Sequence, residues 1–136
     1  MTWKPPALIF PDIELLLFQR IRAALASRSE PYAQAVYVGT AVPNPRRDRM
    51  VTIRRDGGTV ASTRDQPRVG INVWASTEQH ANDLARLVVA ILRSLPDGAP
   101  VLSVPFVSGP SPVADESGQP RRYLTAELHT RGSQLS

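Results

Sequence analysis

The chain has 136 residues, no cysteine, and 16 basic against 12 acidic residues, for a formal net charge of +4. That length supports one hydrophobic core and a single domain spanning 1–136, and the missing cysteines exclude disulfides, thiolate zinc sites and cysteine nucleophiles. No apolar run approaches the roughly 20 residues needed to span a bilayer, and the opening MTWKPPALIFPDIELLL, with its acidic pair and prolines, makes a poor secretory signal, so a soluble chain with no membrane contact is expected.

Residues 1–11 read as an N-terminal arm. Asp12 then caps a helix with Ile13, Leu16, Leu17, Ile21, Ala24 and Leu25 on one stripe and Arg20, Arg22 and Arg28 toward its end. Leu15 projects to nearly the opposite side and Phe18 well off the stripe. These surplus apolar positions require cover, either from the segment Trp3 to Phe10 or from another subunit. Tyr32 to Thr40 reads as a strand around Val36-Tyr37-Val38, and Met50 to Arg55 as another. Asp56-Gly57-Gly58 reads as a turn, and long loops are expected at Ala41 to Arg49 and Asp56 to Pro67.

From Arg68 the period is two, with Val69, Ile71 and Val73 alternating with Arg68, Gly70 and Asn72, the pattern of a strand with one buried face. Ser76, Thr77, Glu78 and Gln79 spell a capping box with Ser76 as the cap. A strongly amphipathic helix follows, with Ala81, Leu84, Ala85, Val88, Ile91, Leu92 and Leu95 on one face and Gln79, Asp83, Arg86 and Arg93 on the other. Leu95-Pro96-Asp97-Gly98 ends it. Val101 to Ser108 is a strand that Pro105 confines to an edge or a bulge. A long loop occupies 109–120, and a closing strand from Arg122 to Arg131 buries Leu124, Ala126 and Leu128. Residues 133–136 read as a frayed tail. The element order gives an α+β class: a single domain with a mainly antiparallel twisted sheet, two amphipathic helices packed on it and long inter-strand loops.

Catalysis requires convergent ionisable groups, and the candidates are sparse. His80 and Asp83 stand three apart on the exposed side of a helix with no third partner, and His129 has only Glu127 two positions away. Neither pair supplies a metal's ligand set. The serines occur in no nucleophile elbow, and Gly57-Gly58 is followed by neither lysine nor a helix start. No catalytic, metal or cofactor site is expected, and the chain reads as a non-enzyme. Lys4 is the only lysine; a GC-rich genome would give the same arginine bias. Arg46, Arg47, Arg49, Arg54, Arg55, Arg64 and Arg68 concentrate in one third of the chain. Asp48, Asp56 and Asp65 interrupt them, which suits pairing with another protein better than a phosphate track.

Four stretches in order resemble the tail terminator proteins of long-tailed bacteriophages of the actinobacterial phage and prophage type. They are Phe10-Pro-Asp-Ile-Glu-Leu-Leu-Leu, Met50-Val-Thr-Ile-Arg-Arg-Asp-Gly-Gly, Arg68-Val-Gly-Ile-Asn-Val-Trp-Ala-Ser-Thr with its following helix, and Arg122-Tyr-Leu-Thr-Ala-Glu-Leu-His-Thr-Arg-Gly. The resemblance implies a structural virion protein, assembled in the host cytoplasm, that forms a homo-oligomeric ring, commonly a hexamer, on the head-proximal end of the tail tube. The ring stops tube polymerisation and presents a docking surface to the head-closure and neck proteins. Its partners are then other copies, the major tail tube protein and the neck protein, with DNA passing through the lumen without sequence-specific binding. A head-closure or adaptor protein, or a nucleic-acid-binding module using the 46–68 arginines, are the alternatives. The candidate subunit or tube contacts are Leu15, Phe18, Arg46, Arg47, Arg49, Arg54, Arg55, Asp56, Arg64, Asp65, Asp115 and Glu116.

Overall fold

The computed structural model describes residues 7–60, 64–96 and 100–135. In chain order the elements are β1 (Ala7–Ile9), α1 (Ile13–Ala26), a 3-10 turn (Pro31–Ala33), β2 (Tyr37–Gly39), β3 (Met50–Val60), β4 (Arg64–Trp74), α2 (Glu78–Ser94), β5 (Val101–Pro112), β6 (Arg121–Arg131) and β7 (Ser133–Leu135). Five strands form one sheet in the order β2-β3-β4-β6-β5, and β1 and β7 form a separate two-stranded ribbon. Among the described residues only the β2–β3 pair is parallel; every other neighbour is antiparallel. This is the α+β arrangement that the element order implies.

The two-residue period explains the layering. Val51 and Ile53 of β3 lie opposite Val73 and Ile71 of β4, and Val69 and Ile71 lie opposite Ala126 and Leu124 of β6. All seven are buried, in one core with Leu17, Ile21 and Leu25 of α1 and Leu84, Val88 and Leu92 of α2. The stripe expected on α2 is buried from Ala81 to Leu95, while Gln79, Arg86 and Arg93 are exposed. Asp12 caps α1 as expected, accepting from the Leu15 amide at 3.2 Å.

Several boundaries differ from the sequence expectation. Thr77, not Ser76, caps α2, accepting from the His80 amide at 3.1 Å. Both are good caps, and Thr77 is the residue whose backbone is extended with its hydroxyl on the His80 amide. The strand expected over Tyr32–Thr40 shrinks to three residues, because Pro31 opens a 3-10 turn. Asp56-Gly57-Gly58 is not a turn: β3 runs on to Val60, with a bulge between Arg55 and Gly57, and the expected loop from Asp56 to Pro67 is strand on both sides. The tip at 61–63 lies outside the described residues. Gly58 is needed here for space as well as for its φ of +101°, since a Cβ would stand 2.1 Å from the Gln66 carbonyl oxygen. β5 continues through Pro112, which shortens the expected 109–120 loop, and it does form the sheet edge where Pro105 is tolerated. The tail is not frayed over 133–135, where β7 pairs with the arm through Ala7↔Leu135 and Ile9↔Ser133. Residues 1–6 of the arm, Asp97 and Gly98 of the helix stop, and Ser136 lie outside the described residues.

A candidate protein interface

The sheet face away from the helices carries the other half of each alternation. At one end a row runs Met50, Trp74, Arg121 across β3, β4 and β6. Trp74 is only 4% exposed although no helix of the described residues covers this face. Its cover comes from two connections, 40–49 and 113–120. Arg46 and Arg121 place their guanidinium carbons 5.8 and 5.4 Å from the Trp74 ring centroid, each worth about 0.5–2 kcal/mol at a partly desolvated site. Arg46 also donates to Gln119 and reaches Asp115 at 3.3 Å, and Arg121 Nη1 lies 3.6 Å from Asp115. The Gln119 amide donates to the backbone carbonyls of Arg47 and Asp48 at 3.1 and 3.0 Å. The hydrogen bond from the Ser117 hydroxyl does most to hold the Asp115 carboxyl below the usual carboxylate range, with Trp74, the Ser117 amide and Arg46 adding to it against the opposing effect of burial. The indole Nε1 reaches no acceptor in good hydrogen-bond geometry, so its influence on Asp115 is electrostatic. The two loops therefore form one locked unit over the end of the sheet.

The middle of this face is polar. Gly70 is buried because the Tyr123 hydroxyl and the Asp56 carboxylate close over it, where a Cβ would approach them to 2.8 and 3.0 Å. Burial, and after it the neighbouring Asp56 carboxylate, raises the Tyr123 phenol above its ordinary value. On the opposite, helix-covered face farther along the hairpin, Arg55 makes a two-point pair with Asp65, at 2.6 and 2.8 Å, and the Asp65 side chain is 2% exposed. The Arg55 amide donates to Glu14 of α1 at 3.0 Å, which satisfies an edge amide of β3 beyond the reach of β2.

These pairings redistribute the expected contact residues. Arg46, Arg55, Asp65 and Asp115 are paired within the subunit, since opposite charges close in space satisfy each other first. Arg49 donates to the Gln34 carbonyl, and Asp56 accepts weakly from Tyr123 at 3.4 Å. Arg47, Arg54, Arg64 and Glu116 are exposed, and their side chains have no partner among the described residues. Leu15 is 51% exposed, so Ala7 to Phe10 do not cover it, and Leu8 and Ile9 of β1 are themselves 45% and 51% exposed. Phe18 is half-buried against the core and lines a cleft of about 510 Å³ between α1 and β2.

His80 does not pair with Asp83, whose carboxylate accepts from Gln79 at 3.0 Å; its ring lies 6.5 Å from that of Tyr32. His129 and Glu127 approach to 3.9 Å on β6. Among the described residues no three His, Asp or Glu side chains gather to hold a metal, and no helix is long and apolar enough to cross a membrane. Sequence reasoning missed Trp74, Gln119 and Glu14. The signal for Trp74 was an aromatic at a position of the non-core face, but its cover is set by two loops far away in sequence. The chain matches no protein-family model and no curated protein.

Proposed function

We propose that the protein is a structural ring subunit that caps the head-proximal end of a phage tail tube, ends its polymerisation and presents a surface to neck proteins. The observation that carries this reading is exposed apolar side chains on β1 and the first turn of α1: Leu8, Ile9 and Leu15 are each about half-exposed. A protein working alone gains nothing by leaving three large aliphatic side chains in water; covering them in an assembly recovers about 1 kcal/mol or more each. The order of strands and helices and the sequence stretches that resemble tail terminators support the same reading. The locked loops over Trp74 support it too, since a cap needs a rigid end face that no further tube subunit can match.

Native mass spectrometry of the purified protein, with electron microscopy after mixing with tail tubes, tests the proposal. A closed ring and decoration of one tube end are expected. A species that stays monomeric at its highest soluble concentration and ignores tubes would refute it. The rival reading, a nucleic-acid module using the 46–68 arginines, predicts binding that falls steeply with salt. It is disfavoured because Arg46 and Arg55 are already paired to carboxylates.

A further inference from the structure

We infer that the 113–116 loop of one copy seats in the cleft between α1 and β2 of the next, with Glu116 pairing with Arg22 and Val113 meeting Phe18. The inference rests on the ring reading and names the contact that would close it.

The cleft is lined by Phe18, Arg22 and residues 36–40. One wall is the outer edge of β2, the end of the sheet order, where the backbone has no strand neighbour among the described residues. The Arg22 guanidinium carbon sits 5.7 Å from the Phe18 ring centroid, and no carboxylate of the described residues pairs with it. A fixed cation stacked on an aromatic ring beside an open strand edge suits a loop that carries one apolar and one acidic side chain.

The surface of the same chain offers such a segment. Among the described residues, Asp48 and Glu116 are the exposed acids whose carboxylates have no partner. Asp48 is flanked by Arg47 and Arg49, whose charges oppose an approach to another arginine. Glu116 has no such neighbours and lies three positions from Val113, which is 39% exposed. Its loop is held from behind: Asp115 is tied to Ser117 and Arg46, and Gln119 to the carbonyls of Arg47 and Asp48. Docking therefore costs little loop entropy. The cleft and the loop are different surfaces, so the contact is head-to-tail, the type that closes a ring.

The test is sedimentation equilibrium on the wild type, Arg22→Glu, Glu116→Arg and the double swap, with Asp48→Arg as a comparison and thermal melts to check folding. Each single reversal is expected to weaken association by about tenfold or more, and the double swap to restore it to within about threefold, as a directly paired couple requires. If a reversal fails to fold, Arg22→Gln and Glu116→Gln replace it, with a smaller weakening expected in each. Single reversals without effect, a double swap as weak as the product of the singles, or weakening by Asp48→Arg alone would overturn the pairing while a wild-type ring leaves the ring reading standing. A wild type that never associates, alone or with tubes, overturns both.

Discussion

Removing the Arg55 side chain is expected to destabilise the fold more than removing its partner, because the two ends of this ion pair differ in their access to water. Asp65 is 2% exposed and Arg55 31%. Arg55→Ala strands a buried carboxylate, for which the cost reaches about 3–5 kcal/mol when burial is complete. Solvent entering the space left by a partly exposed guanidinium reduces that to about 2–3 kcal/mol. Asp65→Ala instead leaves a cation that turns outward, at about 1–2 kcal/mol. The Asp65 hydrogen bond raises the Arg55 pKa, with burial opposing it, so the arginine stays charged throughout the experiment. At roughly 3 °C per kcal/mol for a domain of this size, thermal midpoints should fall by about 6–9 °C for Arg55→Ala and about 3–6 °C for Asp65→Ala. Denaturant titrations of wild type, both singles and the double give a coupling of about 1–2 kcal/mol. Arg55→Lys should recover only part of the loss, since an ammonium cannot make the two-point contact. An Asp65→Ala loss equal to or greater than that of Arg55→Ala, or a coupling near zero, would falsify the assignment of a buried, anchored carboxylate.

Three further outcomes are expected. The Asp115 carboxyl has a lower pKa in the folded loop than in the unfolded chain. Its contribution is therefore complete above the ordinary carboxylate value and is lost only as acid carries the solution down through the lowered folded value. Trp74 fluorescence in a Trp3→Phe background should stay constant through mild acid and change below it, and Asp115→Asn should abolish that acid step; an unchanged step would assign it to another group. Gly58→Ala should cost about 2 kcal/mol or more in denaturant unfolding, because its Cβ meets the Gln66 carbonyl and its φ is positive; a neutral result would show that the distal hairpin relaxes freely. Leu17→Ala, at a fully buried position of α1, should lose about 2–4 kcal/mol, whereas Leu15→Ser should change monomer stability by no more than about 0.5 kcal/mol while weakening self-association. Equal stability losses at the two sites would mean that Leu15 is covered within its own subunit.

What could be read from residues alone was what depends on near neighbours in the chain. The alternation of Val69, Ile71 and Val73 and the stripe from Ala81 to Leu95 each name their own buried face, because period two and period 3.6 arise from the local backbone. The Asp12 cap and the edge position implied by Pro105 are local in the same sense. The places where this reading failed depend on distant partners. Gly57-Gly58 carries a turn's composition, yet pairing with Pro67 and Arg68 holds it in a strand. The tail after Gly132 looked loose because its partner, β1, lies at the opposite end of the chain. The candidate interface divides along the same line. The surplus of Leu15 was visible from helical spacing, but which arginines are spent inside the subunit, on Asp65 across the hairpin and on Asp115 across the sheet end, was decided by tertiary packing. An ion pair between segments far apart in sequence leaves no periodic trace; only the folded sheet and its loops bring the charges within reach.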